Sequence, residues 1–406
     1  MARVLTSGAE LNSLDTAYAD GGLNTTSNIS YGLVVTSPVR SGTYAYKFDS
    51  GGTNGNSYAI TEVIITHEQY TRLYVNFPGW PTAPTGGIAV MLASDVGSGF
   101  AVAINASGQL SLWNTYTNTQ LGSAVQIQLN TWVRVEMYAH YASTASAAEM
   151  QVDGVSGGLF TNENNPNSTT DTQNLRIGWG GNKPGANSVF YVDDIAVNSS
   201  AGADNNSWPG SGKVLLLLPT ADSSVGTGWT DGAGGTSGIY VAVDNIPPAG
   251  VADASRTATS QIRNATNNLS AYAATMATYS SVGLIATDTI NAVAPFIVSG
   301  SGTASATKTG SLTLSNPTLA KTSVGAFNFN TTAVATFGTG YSWRFRYIAA
   351  ANKPSVTLGT APVLTITQDT ANTNITEVCF VGVYVDYTPA AAPPEPVSVY
   401  LIGSGL

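Results

Sequence analysis

The stretch Tyr191–Val197, Tyr-Val-Asp-Asp-Ile-Ala-Val, is short, rich in apolar residues and interrupted at its centre by two acids. Side chains alternate between the two faces of a β-strand, so this stretch predicts a strand with Asp193 and Asp194 on opposite faces. We expect one acid to bind a neighbouring loop and the other to face solvent. Residues 198–212 are mostly Asn, Ser, Gly and Pro, which favour turns. A strand that runs into such a segment predicts that a folded unit ends here.

The rest of the chain predicts an all-β protein. Apart from a possible short piece near residues 143–149, no stretch keeps the 3.6-residue period of a helix. Only 10% of the residues are charged and 43 are glycines, as in proteins with many tight turns. A chain of 406 residues is long enough for two or three domains of about 100–200 residues each. We predict domains over residues 1–198 and 213–388, a linker over 199–212 and a Pro-rich tail over 389–406.

The first domain resembles a known fold family through four segments near its end. These segments are Thr131–Met137, Ala148–Gly154, Asn174–Gly181 and Phe190–Val197. Together they look like the last third of a laminin-G/concanavalin-like lectin jelly roll. The resemblance implies two antiparallel sheets packed face to face. It does not fix a function, because that scaffold hosts lectins, glycosidases and adhesion modules alike.

The second domain resembles a β-sandwich that recurs in structural proteins of tailed bacteriophages. The residues that carry this resemblance are Gly228–Thr230, Val243–Pro248, Ile290–Val293, Trp343 and Thr376–Tyr387. In those proteins such a domain often stands beside a laminin-G-like module. The resemblance therefore implies a structural protein of a virion, either a capsid decoration or head-fibre protein or a tail-associated protein. It also implies other virion proteins as partners and a homo-oligomer, with a trimer as one candidate.

Charge and cysteine content exclude several classes. The net charge is −9 and there is no basic stripe, which argues against binding to nucleic acid. The single cysteine, Cys379, has no partner for a disulfide within the chain, and its strand-like surroundings predict a small buried hydrophobic residue.

The N-terminus lacks the apolar core of a signal peptide, and Val214–Leu218, the longest apolar run, is too short to span a bilayer. We therefore expect no membrane insertion. A virion protein fits these observations, because it is made in the host cytoplasm and released by lysis.

The sequence offers little for catalysis. His67 and His140 are the only histidines, and there is no Gly-x-Ser-x-Gly motif for a serine hydrolase. The glucanases of the jelly-roll class carry a Glu-x-Asp-x-x-Glu run on one strand, and this chain has none. We therefore predict a protein that is not an enzyme and needs no cofactor. Because lectin-like relatives sometimes bind calcium in this region, Asp153, Asp193 and Asp194 are candidates for a calcium site.

Aromatic side chains are candidates for stacking against sugars. We single out Trp80, Trp113, Tyr116 and Trp179. Trp113 and Trp179 lie on or beside predicted strands, where packing in the core is the favoured interpretation. Trp80 lies in a Pro-Gly loop and is the best candidate for an exposed contact.

The sequence thus favours a non-enzymatic virion structural protein that presents a lectin-like domain. The alternatives are an adhesin that binds host surface glycans and, less favoured, a glycoside hydrolase. The acidic first half is the expected exposed part, and the second half is the expected docking or oligomerising part. Within the Pro-rich C-terminal segment over residues 389–406, Val397–Ile402 is either a short strand that adds to a neighbour's sheet or a frayed terminus.

Overall fold

A computed structural model describes most of the chain, with gaps. The described residues are 3–12, 23–27, 32–52, 57–61, 68–82, 89–93, 99–142, 145–165, 175–180, 184–231, 233–244, 246, 262–264, 269–301, 309–321, 327–328, 342–347, 350–368 and 376–390. His67 and the predicted terminal strand Val397–Ile402 lie outside them. Within this part of the chain, no helix is long and apolar enough to cross a membrane.

Fifteen strands make up the first half of the described chain. They are β1 (Arg3–Ser7), β2 (Leu23–Ser27), β3 (Gly32–Val35), β4 (Ala45–Asp49), β5 (Ser57–Thr61), β6 (Glu68–Asn76), β7 (Ala89–Ala93), β8 (Phe100–Ile104), β9 (Gln109–Asn114), β10 (Thr119–Gln126), β11 (Val133–His140), β12 (Ser146–Val152), β13 (Val155–Glu163), β14 (Arg176–Trp179) and β15 (Val189–Ser199).

These strands form two antiparallel sheets. One sheet has the order β13-β12-β11-β6-β15-β4-β3, with β1 also paired to β15, and the other has the order β10-β9-β8-β7-β14-β5-β2. The inward residues of both sheets share one hydrophobic core, which includes Leu73, Val135, Phe100 and Trp179. The predicted jelly roll of two antiparallel sheets is therefore confirmed.

Thirteen strands make up the described part of the second half. They are β16 (Lys213–Leu217), β17 (Pro219–Val225), β18 (Trp229–Asp231), β19 (Ile262–Asn264), β20 (Ala271–Met276), β21 (Thr289–Ser301), β22 (Thr309–Ser315), β23 (Thr318–Lys321), β24 (Phe327–Asn328), β25 (Ser342–Tyr347), β26 (Ala351–Asn352), β27 (Val363–Gln368) and β28 (Thr376–Thr388). Two short 3-10 helices lie at Ile239–Ala242 and Ser280–Val282.

The second half is a β-sandwich, as predicted. One sheet has the order β18-β19-β28-β21-β25, with β16 on β28 and β26 on β21, and the other has the order β17-β20-β27-β22-β23, with β24 on β22. A second core, which includes Trp229, Tyr272 and Val381, lies between them. Cys379 is fully buried on β28, which confirms its prediction as a small buried residue.

A third apolar cluster joins the two halves. Phe296, Phe380 and Tyr384 stack on the outer face of the β21–β28 pair, away from the second core. Leu11 of the first half and Val214 at the start of β16 are buried in the same cluster. The two sandwiches therefore share buried apolar surface, which stabilises one arrangement of the pair.

Gly178 on β14 is required by the close approach of β5. Its φ is +119°, and an added Cβ would lie 2.4 Å from the Ser57 carbonyl oxygen and 2.6 Å from Tyr58 Cα. We expect Gly178→Ala to lower the free energy of unfolding by more than about 2 kcal/mol, because backbone atoms of β5 must move. Urea denaturation measures this change. Gly79→Ala is the matched control, since nothing lies within 4 Å of its Cβ position, and equal effects of the two changes would contradict the argument.

Candidate functional site

Strand β15 contains a β-bulge where its two acids lie. Asp193 pairs with Tyr74 of β6, and the next pairing joins Ala196 to Arg72. Three steps along β15 therefore match two steps along β6, which leaves one extra residue. Asp194 has a φ of 51°, in the left-handed region that Asp tolerates better than most residues. The extra residue interrupts the alternation on which the sequence prediction depended.

Both acids bind the loop that contains Arg40 and Ser41. Asp193 Oδ2 accepts hydrogen bonds from the backbone nitrogens of Arg40, at 2.9 Å, and Ser41, at 3.3 Å. Asp194 accepts from the side chains of Arg40 and Ser41, and its Oδ1 also accepts from the Val214 nitrogen at 2.5 Å. Both acids are fully buried. The prediction of opposite faces, with one acid in solvent, is therefore wrong, because the bulge turns both carboxylates toward one loop.

The two carboxylates influence each other. Burial and the adjacent charge of Asp194 raise the pKa of Asp193 well above its ordinary value, although three backbone N–H donors oppose the shift. Asp194 is compensated by its ion pair with the Arg40 guanidinium. Since protein donors occupy both acids, the arrangement is that of a buried structural pair.

A second ionic group crosses between the two halves. Asp386 on β28 binds the guanidinium groups of Arg3 and Arg72, and its Oδ1 lies 3.1 Å from Arg72 Nη2. All three side chains are fully buried. Arg72 Nε also donates to the Asp194 carbonyl oxygen at 3.0 Å, which links this group to the bulge. Burial alone would raise the pKa of Asp386, but the charges of Arg72 and Arg3 outweigh burial and lower it.

Residues 200–212, the connecting segment, bind both halves. The Gly210 nitrogen donates to Glu136 Oε1 of β11 at 2.7 Å. On the other side, Asn205 Nδ2 donates to the Asn291 carbonyl oxygen of β21 at 2.7 Å. Burial raises the pKa of Glu136, although Arg134 and this Gly210 N–H oppose the shift. The segment therefore covers part of the outer face of the first sheet. We call these contacts of the connecting segment, together with the ion pairs of Asp386, the junction between the halves.

Beside the junction, the same outer face carries three aromatic rings that we call the aromatic platform. Tyr70 of β6 and Tyr138 of β11 stack with ring centroids 4.7 Å apart. Trp208 of the connecting segment meets Tyr70 edge-on at 5.4 Å. The Tyr138 hydroxyl donates to Glu68 Oε1 at 2.8 Å, and all three rings are partly exposed. Burial, followed by the hydrogen bond to and charge of Glu68, raises the pKa of Tyr138.

Further polar groups lie on the strands beside the platform. Glu149 of β12 is paired opposite Tyr138, and its Oε1 accepts a hydrogen bond from Ser156 Oγ at 2.6 Å. His140 is paired opposite Glu68. The open part of the face thus combines aromatic surface with two carboxylates.

The four aromatic residues proposed from the sequence lie elsewhere. Trp179 is fully buried, and its Nε1 donates to the Ser188 carbonyl oxygen at 2.9 Å. Trp80 is partly buried beside Phe77, with ring centroids 5.9 Å apart, and Trp113 is partly buried. Tyr116 is 46% exposed. No ring contact joins any two of these four within the described residues.

The three candidate calcium ligands do not come together. Asp153 lies in the turn between β12 and β13, and its Oδ1 accepts a hydrogen bond from the Arg134 nitrogen at 2.9 Å. Three strand spacings, about 14 Å, separate that position from Asp193 and Asp194. In the described parts of the chain, no group of three or more His, Cys, Asp or Glu residues is placed to hold a metal ion.

Sequence reasoning missed Arg72, Asp386 and Trp208. Arg72 and Asp386 each interrupt an apolar strand, in Tyr70–Val75 and Val383–Tyr387. A charge within such a run is a signal for a buried partner, but it does not identify that partner. Trp208 is the only aromatic residue in the turn-rich segment 198–212. An isolated aromatic residue in such a segment is a sequence signal for a packing or binding role.

Comparisons with known proteins give weak likenesses. No family model and no curated protein matches this chain. Among solved structures, it is similar to the cellulose-induced protein Cip1 (14% identity, 48% of this chain and 97% of that one, TM-score 0.36). It is also similar to an endo-β-1,4-glucuronan lyase from Trichoderma reesei (16% identity, 50% and 99%, TM-score 0.34) and to the receptor-binding domain of botulinum neurotoxin D (11% identity, 50% and 50%, TM-score 0.35). The assignment of the fold rests on the strand pairings themselves.

Arg3, Arg72 and Asp386 form a buried ionic triad at the junction, and this triad predicts a large effect of one substitution. Asp386→Asn leaves Arg3 and Arg72 buried without a counter-charge, so we expect the free energy of unfolding to fall by about 3–5 kcal/mol. Urea denaturation of the full chain measures the loss. Asp204→Asn, at an exposed acid of the connecting segment, is the matched control and should change little. A loss below about 1 kcal/mol for Asp386→Asn would contradict a buried triad.

The lowered pKa of Asp386 predicts a dependence on pH. The stability that this group contributes is fully present above the ordinary Asp pKa of about 3.9. It is lost as the pH falls through the lowered folded-state pKa, because the protonated acid no longer compensates the two arginines. We expect the difference in unfolding free energy between the parent and Asp386→Asn to shrink below about pH 4. Urea denaturation at a series of pH values tests this, and a difference independent of pH would refute it.

Proposed function

We propose that this chain is a non-enzymatic structural protein of a particle surface, in which two β-sandwiches form one rigid unit that presents the jelly roll. The observation that carries the proposal is the buried junction, where Asp386 of the second half binds Arg3 and Arg72 of the first. A buried ionic contact of this kind tolerates little relative motion, because separation would leave charges without partners. A protein that transmits mechanical load or holds a fixed spacing benefits from such a contact.

Two features of the first sheet support a role without catalysis. The paired acids Asp193 and Asp194 are occupied by protein donors and are buried, so they offer no reactive carboxylate to a substrate. The connecting segment also covers part of the outer face of the sheet through Gly210. A glycoside hydrolase needs two accessible carboxylates at a defined separation across an open cleft. These features therefore disfavour a hydrolase that would use Asp193 and Asp194 as its catalytic pair.

The kind of particle is a proposal from the sequence. The second half resembles a β-sandwich of tailed-bacteriophage structural proteins, in which such a domain often stands beside a laminin-G-like module. This resemblance supports a virion location as a capsid decoration, head-fibre or tail-associated protein. The proposed partners are other virion proteins and further copies of this chain, with a trimer as one candidate. In this proposal the second half docks or oligomerises and the more acidic first half faces outward.

A second candidate function is adhesion to host surface glycans. The aromatic platform favours it, because Tyr70, Tyr138 and Trp208 offer partly exposed rings beside polar groups. Binding sites for small molecules commonly combine aromatic surface with a few placed polar groups. This function is compatible with the structural one, since a surface protein of a particle can also bind a receptor.

Immunogold labelling of purified phage particles tests the virion proposal. We expect an antibody against this chain to label intact particles from a lysed culture when the phage carries the gene for this chain. Particles of a phage that lacks the gene should remain unlabelled. Label over the head would favour a decoration or head-fibre protein, whereas label on the tail would favour adhesion. Absence of label from intact particles that contain the gene would refute the virion proposal.

A further inference from the structure

We propose that one outer sheet face of the second half binds the same face of another copy of this chain, so that two copies associate about a two-fold axis. The inference rests on the proposed function, in which the second half docks or oligomerises, and it names the surface and the partner. The surface consists of the side chains of β20, β27 and β22 that point away from the second core. We call this surface the neutral face.

Alternation along the three strands separates the neutral face from the core. Tyr272 of β20, Ile366 of β27 and Leu312 of β22 are buried in the second core. The residues between such core positions therefore point outward. Strand pairing places them in rows across the sheet, and two of these rows are Ala273, Thr365 and Thr313 and, one step along, Ala271, Thr367 and Ser311. Apart from Ala273, which is buried, these six residues are partly exposed.

The neutral face is free of charge and complementary to itself. Every side chain that these three strands present on it within the described residues is Ala, Ser, Thr or Val. In a two-fold contact each side chain meets the same surface of the other copy, so a carboxylate or an ammonium group would meet a like charge. A hydroxyl both donates and accepts hydrogen bonds, and methyl groups pack on methyl groups. A face of this composition therefore suits binding to its own copy.

The overall charge of the chain favours a neutral surface for self-association. The net charge is −9, so two copies repel each other on approach. A contact through a charge-free surface adds no close pairs of like charges to this repulsion. The other outer face of the second half is already buried, since Phe296, Phe380 and Tyr384 pack there in one cluster with Leu11 of the first half. The neutral face thus remains for a second copy.

Two such faces bury enough surface for a weak, specific contact. The sheet path β17-β20-β27-β22-β23 contains five strands. At a spacing of about 4.8 Å and with roughly six residues of about 3.4 Å each, the sheet covers roughly 24 by 20 Å. Two copies would together bury about 1,000 Å², which is at the lower limit for a specific protein interface. On a particle, neighbouring copies have a high effective concentration, so a weak contact is sufficient there.

The competing explanation is that the neutral face is solvated, because an antiparallel sheet can face water on one side and Thr is favoured in strands. Sedimentation equilibrium of the full chain over a range of concentrations distinguishes the two explanations. We expect a reversible monomer–dimer equilibrium with a dissociation constant in the micromolar range.

Thr365→Lys tests whether the neutral face is the surface in contact. Thr365 lies in the central strand and in the middle row, so it is close to the two-fold axis when the two faces overlap fully. Two lysines would meet there, and we expect the dissociation constant to rise about tenfold or more. Thr131→Lys, at an exposed threonine of the first half, is the matched control. It adds the same charge and should leave the dissociation constant close to that of the parent.

An equimolar mixture of the Thr365→Lys and Thr365→Asp proteins tests the two-fold geometry. Each variant alone should be mostly monomeric at concentrations at which the parent dimerises. The mixture should restore the dimer, because opposite charges then meet across the axis. Both variants should fold, since residue 365 points away from the core, and far-UV circular dichroism checks this.

A parent chain that stays monomeric at every concentration, or that forms trimers, would overturn the inference. Dimerisation of Thr365→Lys with the affinity of the parent would overturn the neutral face as the contact surface. A mixture of the two variants that stays monomeric would overturn the two-fold geometry. The virion proposal is independent of these results, because it is tested by labelling of particles.

Discussion

The arrangement of the two sandwiches depends on one buried carboxylate. Asp386 lies between Arg3 and Arg72 with no exposure to solvent, and each arginine comes from a different strand of the other half. Removing three charged groups from water costs several kcal/mol for each, and only close pairing with additional hydrogen bonds offsets that cost. The triad therefore contributes less to net stability than to geometry, since other arrangements of the halves would leave a charge buried and unpaired. The apolar cluster of Leu11, Val214 and the rings around Phe296 supplies the favourable burial.

The bulge in β15 makes that geometry possible. β15 pairs with β4 through residues 189–192 and with β1 through residues 195–198, so its two acids lie where the partner strand changes. The extra residue turns the Asp194 carboxylate toward Arg40 and the Val214 nitrogen at the start of β16, while its carbonyl oxygen accepts from Arg72. One irregular residue thus connects the first sheet, the loop at Arg40 and the first strand of the second half. Bulges commonly redirect side chains in this way.

The sequence was sufficient for the elements and insufficient for the junction. Alternating apolar runs predicted an all-β chain correctly, and the burial of Cys379 followed from its neighbours on β28. The same alternation gave the wrong faces for Asp193 and Asp194, because a bulge leaves no mark in the order of residue types. Arg72 and Asp386 are 314 positions apart, and nothing local to either identifies the other. Trp80 stood out through its loop, yet it packs on Phe77, since turn residues predict a bend and not the exposure of a ring.

The outer face of the first sheet has two regions, one for the proposed structural role and one for the proposed adhesion. Where the connecting segment and β28 cover it, the face holds arginines and acids that compensate one another and are mostly buried. Beyond Trp208 the same strands carry Tyr70, Tyr138 and Glu68 with partial exposure. Trp208 stands at the boundary between these two regions. Because the segment that closes the junction also supplies Trp208, the shape of the platform depends on the fixed relation of the two sandwiches. Rigidity at the junction is therefore a condition for a preorganised surface beside it, which lowers the entropic cost of binding there.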